Sequence, residues 1–438
     1  MTPPLSHPSH ARRAQIRRRR IAALAGGVAV LVLLVVVIGV SAGWFSSSSS
    51  KSDAPAALTT PTSSATAKAI PASTPPVIDA SASWPTFGNI PENTRAETSI
   101  NASLPLRTVW STDTGRLIEL PPVVGDGRVV VGNYGYGVAI DLSTGKILWK
   151  YAAGATIAAS PALTGLAGTP SAGQPQQDIF ATMAGDVIAL NPATGAEIWK
   201  VALGSSVETS PLVLGNGVFV GTRAGQVVRI SLATHQIVWQ DQTGGSVKGA
   251  ITQDGNDIVF GNYAGDVTAL NPANGATVWR ANVGGRFYGA AAVSGGRIFI
   301  GNTNDSVYAL DAATGAIEWT QTTGNYVYSS PAVADGLVFI GSYDSNLYAL
   351  SASSGAVIWR RNVGQPVSGS PSVIGNFVWI ATHAQSMASG RTYAMNARTG
   401  ALVLTRAPGR YVAPVAVPDL IIETGLSTIT ALEPSAAK

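Results

Sequence analysis

One phrase returns through this 438-residue chain at nearly constant spacing. It ends at Trp149 (AIDLSTGKILW), Trp199 (ALNPATGAEIW), Trp239 (RISLATHQIVW), Trp279 (ALNPANGATVW), Trp319 (ALDAATGAIEW), Trp359 (ALSASSGAVIW) and Leu404 (AMNARTGALVL), with 40 to 50 residues between consecutive copies. Such a chain must assemble like units side by side, each burying the face of the next. In the fifth copy four short strands can be read, FYGAAAVS, GRIFIGNT, SVYALDAA and GAIEWTQT. Gly-Gly separates the first two and Thr-Gly precedes the fourth. Repeated four-stranded units of about 40 residues predict a β-propeller.

The ends of the repeat region complement each other. LPLRTVW, ending at Trp110, is a fourth strand standing alone, and YVAPVAVPDLIIETGLSTITALEP near the C-terminus supplies three strands and stops. Joined, they make an eighth unit that closes the ring. The expected fold is therefore all-β, an eight-bladed propeller of four-stranded blades over residues 81–438. Composition agrees: Gly is 48 residues and charged residues are only 12%, where soluble domains carry roughly a quarter. Cysteine is absent, which removes disulfides, thiolate metal sites and a lipidated cysteine.

Residues 1–20 form a basic tail containing Arg12, Arg13 and Arg17 to Arg20. IAALAGGVAVLVLLVVVIGV follows at 21–40, long enough as a helix to cross a bilayer core of roughly 30 Å. Basic flanks stay on the cytoplasmic side, so the expectation is one transmembrane helix over 21–43. A cleavable signal ending near Val40-Ser41-Ala42 is the alternative, but this apolar core is longer than signal peptides use. Residues 44–80, rich in Ser, Thr, Pro and Ala, lack apolar periodicity and are expected to be a disordered linker. The protein would then be a single-pass component of a bacterial cell membrane, with a cytoplasmic N-terminus and an extracytoplasmic propeller. Seven of the 28 bases and none of the 24 acids fall in residues 1–52. The remainder is slightly acidic and gives no support for a nucleic-acid partner.

Trp110, Trp149, Trp199, Trp239, Trp279, Trp319 and Trp359 are expected to be structural, as apolar wedges between blades whose N–H still finds an acceptor. The Gly of each Thr-Gly pair is expected in a left-handed turn, a conformation that His235 can share.

The motif A-L-[DN]-x-x-T-G-x-x-x-W resembles the repeat of the pyrroloquinoline-quinone propeller family (quinoprotein alcohol dehydrogenase-like), and WPTFGN at 84–89 is similar to that family's opening. The resemblance covers about 350 residues. It implies the propeller fold and is compatible with several functions. The family holds quinone-dependent dehydrogenases, a non-enzymatic propeller lipoprotein of the outer-membrane barrel-assembly machine, and extracellular sensor domains of bacterial kinases. In the dehydrogenases an inner-strand acid before a small-x-Pro step contacts the quinone. Glu119, before Leu120-Pro121-Pro122, and Glu208, before Thr209-Ser210-Pro211, match that pattern. The family's adjacent cysteines and long pocket-building inserts are absent.

Strand direction sorts the loops onto two faces. Face 2 carries the first-to-second turns, the Thr-Gly turns and an insertion at 164–177. Face 1 carries the second-to-third loops and the inter-blade connections. Its candidate partner- or ligand-binding residues are Tyr134, Arg223, Lys248, Tyr263, Arg286, Tyr288, Tyr328, Tyr343 and His383, a mixture of aromatic and charged groups common at binding surfaces. Those early in the innermost strands are Glu119, Glu208, Lys248, Tyr288 and Tyr328. Nothing supplies a multi-His metal site, and Asp186, Asp266, Asp305 and Asp344 after the second strands are expected to form turns rather than bind calcium. The sequence thus points to a non-catalytic, monomeric module without cofactor or metal, binding an envelope protein or extended peptide. The alternatives are a dehydrogenase holding pyrroloquinoline quinone and calcium through Glu119 and Glu208, and a sensor of a small ligand or glycan.

Overall fold

The computed structural model describes residues 83–100, 102–382, 390–407 and 412–435. The basic tail, the helix expected over 21–43, the linker and His383 lie outside the described residues. Among the described residues, no helix is long and apolar enough to cross a membrane.

The described strands form eight sheets, seven of four strands and one of five. Blade 1 consists of Val123–Gly125, Arg128–Gly132, Tyr136–Asp141 and Ile147–Ala152, and blade 5 of Ala292–Ser294, Arg297–Asn302, Ser306–Asp311 and Ile317–Thr322. Each is an antiparallel meander from the axis outward. Blade 8 joins the two ends of the chain: Leu106–Asp113 pairs antiparallel with Thr428–Pro434 as its outer strand, with Trp110 opposite Ala431. This is the closure that the split repeat implied.

The recurring phrase has a physical reading at each position. Its Asx side chain bonds its own turn: Asp141 Oδ1 accepts from the Ser143 and Thr144 amides, and Asn191 Oδ1 from the Ala193 and Thr194 amides. Such Asx turns reverse the chain between the third and fourth strands. The Gly that follows is left-handed, with φ +72° at Gly315. A Cβ there would stand 2.4 Å from Trp279 Cε3 of the preceding blade. The tryptophan therefore lies on a bare glycine backbone, and its indole N–H donates to Ala312 O in that next blade at 2.9 Å. Trp319 repeats the arrangement on blade 6 through Ala352 O. Every outer strand also shifts register beside this position, as between Ala309 and Leu310 opposite Ile317 and Trp319. Such a bulge twists and blunts an exposed strand edge. Apolar residues fill the space between blades. Ala292, Phe299 and Trp319 of blade 5 pack with Val333, Ile340 and Leu350 of blade 6.

The innermost strands differ from expectation. That of blade 5 begins at Ala292, so FYGAA lies before it. The reason is a change of bonding partner. Phe287 N donates to Asn262 O and Ala290 N to Ser330 Oγ, so these amides serve the neighbouring blades instead of their own sheet. Glu119, Glu208, Lys248, Tyr288 and Tyr328 accordingly lie outside the inner strands, on the segments that lead into them.

The segment around WPTFGN closes the channel at its face-2 end, a role not apparent in the repeat. Trp84 bridges to Val124 beside the Asp126-Gly127 turn. The chain then runs round the axis and offers carbonyls to unpaired inner-strand amides: Pro85 O to Leu163 N, Pro91 O to Gln253 N, Glu92 O to Val293 N, Thr94 O to Val333 N and Arg95 O to Val373 N. Ala96–Glu97 finally adds a parallel fifth strand to blade 7.

Candidate functional site

The rim of face 1 is built by one clamp used repeatedly. The residue after the second strand donates its amide to a carbonyl in the segment leading into its blade: Tyr134 N to Leu117 O, Arg223 N to Ser206 O, Tyr263 N to Ser246 O, Thr303 N to Arg286 O and Tyr343 N to Tyr326 O. The backbone is thereby fixed alike in successive blades, and the side chains alone vary.

Those side chains make an arc over blades 3 to 6 rather than a full ring. Glu208 is held by Lys248 Nζ at 2.9 Å and by Arg223 Nε at 3.4 Å. Lys248 Nζ also lies 5.5 Å and 5.6 Å from the ring centres of Tyr263 and Tyr288, and the Arg286 guanidinium 5.7 Å from that of Tyr263. The aromatic run continues from Tyr263 to Tyr288 to Tyr328, with centroids 4.7 Å and 4.2 Å apart. It ends in Tyr326 and Tyr343, both against Tyr328. Burial raises the Tyr263 phenol pKa above its ordinary value. The Tyr263 hydroxyl, then Arg286 and Lys248, hold that of Tyr288 below its own. Across the mouth, Tyr134 donates to Glu119 Oε1 at 2.6 Å, a pair separate from the arc. The structure thus assembles Arg223, Lys248, Tyr263, Arg286, Tyr288, Tyr328 and Tyr343 into one surface.

Below the arc lies a cavity of about 370 Å³ on the axis. Its mouth carries Glu119, Glu208, Lys248, Tyr288, Tyr328 and Tyr343, and its waist small residues including Ser210, Gly289, Ser330 and Ser370. Hydroxyls stitch this waist: Ser160 N donates to Ser210 Oγ, and Ser330 N to Ser370 Oγ. Phe87 and Arg95 of the plugging segment form the floor, so the well is blind. Arg95 is 1% exposed, and burial pulls its pKa down to about 9, leaving it charged at neutral pH. Sequence periodicity could not reveal either floor residue, because both precede the repeats. The small-x-Pro step Thr209-Ser210-Pro211 was the legible trace of the waist in the sequence.

Glu119 and Glu208 do share this cavity, yet they are poorly arranged for a calcium–quinone pair. A calcium ion needs six to eight oxygens, whereas the Lys248 ammonium occupies one Glu208 oxygen and the Tyr134 hydroxyl one Glu119 oxygen. Among the described residues, no cluster of three His, Cys, Asp or Glu could hold a metal ion. Asp344 accepts from the Gly324 and Asn346 amides in a turn as expected, whereas Asp186 and Asp266 open the third strands of blades 2 and 4, and Asp186 pairs with Lys200.

The eight-bladed ring with its phased tryptophans defines a PQQ-like β-propeller, and the chain belongs to that repeat family. The matching family profile, described as outer membrane protein assembly factor BamB, covers residues 107–167, 163–285 and 263–409. No curated protein gives a significant match. Similar solved structures include BamB from Moraxella catarrhalis, 19% identical with a TM-score of 0.62, covering 75% of this chain and 100% of that one. A europium-containing methanol dehydrogenase is 16% identical with a TM-score of 0.64, covering 78% of this chain and 89% of that one. Quinohemoprotein alcohol dehydrogenase from Comamonas testosteroni is also 16% identical at a TM-score of 0.64, covering 81% of each chain. At these identities the likeness is one of fold.

Proposed function

We propose that this chain is a membrane-anchored, extracytoplasmic propeller that binds an envelope protein or an extended peptide at face 1, without catalysis. The observation that carries this reading is the arc of tyrosines and cations over blades 3 to 6, set on a rigid, repeatedly clamped backbone. A closed ring offers such a surface at little ordering cost. The assembly-factor description of the family supports a protein partner.

The test is capture of envelope partners by the full-length protein and by Tyr263→Ala/Tyr343→Ala, with Thr144→Ala on face 2 as control. Loss of the captured set in the double variant alone is expected; unchanged capture would remove face 1 from the account. The rival reading, a quinone-dependent dehydrogenase, draws on the two dehydrogenase folds and on Glu119 and Glu208 at one cavity. The pairing of both carboxylates with protein groups favours the binding module.

A further inference from the structure

Among the described residues Arg95 is a buried cation with no anion beside it, its guanidinium lying instead 4.5 Å from the Phe87 ring centre. Its Nε donates to Pro371 O at 2.7 Å, its Nη1 to Phe87 O at 2.7 Å, and its Nη2 only to Ser370 O at 3.5 Å. All three acceptors are neutral carbonyls, and among the described residues no carboxylate forms an ion pair with it. A charge withdrawn from water this far is costly unless an opposite charge compensates it. The acids of the cavity stand at its mouth and are engaged there, Glu208 by two cations and Glu119 by Tyr134. The floor therefore carries positive charge at the inner end of the well, where clefts concentrate the field of such a group.

We infer that the axial well receives a carboxylate, and that on the proposed protein-binding reading the carboxylate is the free C-terminus of an extended peptide. The shape decides between a chain end and an internal acidic residue. Phe87 and Arg95 line the inner end of the well, and their segment runs across the axis on bonds to the inner strands, so a chain entering along the axis meets that segment and ends there. Nη2 is the least committed donor on the floor, and the Ser370 and Ser330 side chains stand beside the same space. A carboxylate reaching the waist would meet a cation whose hydrogen bonds to it are charge-assisted. The residues preceding that terminus would lie against Tyr288 and Tyr328 at the mouth.

The first test uses the unaltered full-length protein and the pair N-acetyl-Ala-Ala-Phe as free acid and as C-terminal amide, with binding followed by calorimetry. The acid is expected to bind at least roughly tenfold more tightly than the amide. Equal binding of the two, or no binding of either at millimolar concentration, overturns the inference. Sodium acetate, added as competitor, distinguishes the sources: displacement of the peptide by acetate at its own concentration would reduce the site to one for small carboxylates. Arg95→Gln should erase the acid-to-amide preference and Arg95→Lys should keep part of it. Should Arg95→Gln fail to fold, Lys248→Gln at the mouth must weaken both peptides while leaving their ratio. The two readings fail separately. Partner capture that survives Arg95→Gln but not Tyr263→Ala/Tyr343→Ala sinks the C-terminal inference and leaves the face-1 surface standing.

Discussion

The imidazole of His235 stacks on the indole of Trp199, with ring centres 5.4 Å apart and planes 19° from parallel. His235 stands where most blades place the left-handed glycine of the Thr-Gly pair, and it keeps that conformation, with φ +58°. The neighbouring hydrogen bond changes as well: Trp199 donates to the Gln177 side chain instead of a main-chain carbonyl. One ring thus replaces the glycine surface that supports the other tryptophans. Left-handed backbone costs a non-glycine residue about 1 kcal/mol, and ring stacking returns about 0.5–1.5 kcal/mol. His235→Gly should therefore leave the denaturation midpoint nearly unchanged. Gly315→Ala has no such compensation, because its Cβ meets Trp279 at 2.4 Å. It should lower stability by at least about 2 kcal/mol in urea titrations.

Trp319 offers a direct measure of what holds two blades together. Its ring packs with Phe299 of its own blade and with blade 6, and its N–H is bonded to Ala352 O. Trp319→Ala should cost about 3–5 kcal/mol, and Trp319→Phe distinctly less, since only the N–H and part of the ring are lost. Equal losses in urea unfolding would shift the weight from packing to the hydrogen bond.

The ring was legible in the sequence because most blades repeat the same physical solution. Asx turn, left-handed residue and interblade indole recur at fixed spacing, so the phase of Trp149 through Trp359 carries the architecture. The lone Trp110 strand likewise revealed its blade. The rim positions followed from strand direction, although the segments bearing Tyr288 and Tyr328 proved not to be strands. The plug was hidden for the opposite reason. Phe87 and Arg95 belong to a segment that occurs once, and its carbonyl-to-amide bonds involve no side-chain signature. A base in such a segment looks like any solvated arginine until the axis is seen to close over it.

Asp178 is buried between blades 1 and 2 with Arg128 Nη1 2.8 Å from its Oδ2, while its Oδ1 has no hydrogen-bond partner. Burial outweighs Arg128 and pushes its pKa up to about 6. A carboxyl whose folded pKa lies above its unfolded value binds more protons in the native state between the two. Its contribution is then fully present below about pH 4 and is lost as pH rises to about 6. The stability of the unaltered protein relative to Asp178→Asn should decline from pH 4 to 6 and level off above. A relative stability that is level above about pH 5 and falls only towards and below pH 4 would mean that Arg128 holds the carboxylate ionised.

Gly88 tests the plug. A Cβ there would meet Asn93 Oδ1 at 2.2 Å and Asn93 Cα at 2.3 Å, so Gly88→Ala must displace the segment that caps Gln253 and Val293. Hydrogen exchange should speed up at those two amides, and not at Phe299 within the blade 5 sheet. Uniform acceleration would indicate that the plug and the ring open together.

Ligand-linked stability addresses the dehydrogenase reading. A ligand bound only to the folded state at a hundred times its dissociation constant stabilises it by about 2.7 kcal/mol, which moves the unfolding temperature of a domain of this size by a few degrees. Pyrroloquinoline quinone and calcium, together and up to millimolar concentration, should leave the unfolding temperature unchanged, because Lys248 and Tyr134 already occupy the two carboxylates. A saturable rise would restore the quinone reading. It should then disappear in Glu208→Gln if that carboxylate exchanges Lys248 for the metal. Persistence of the rise in both Glu119→Gln and Glu208→Gln would place the ligand away from the acids at the mouth, on the tyrosine arc or at the Arg95 floor.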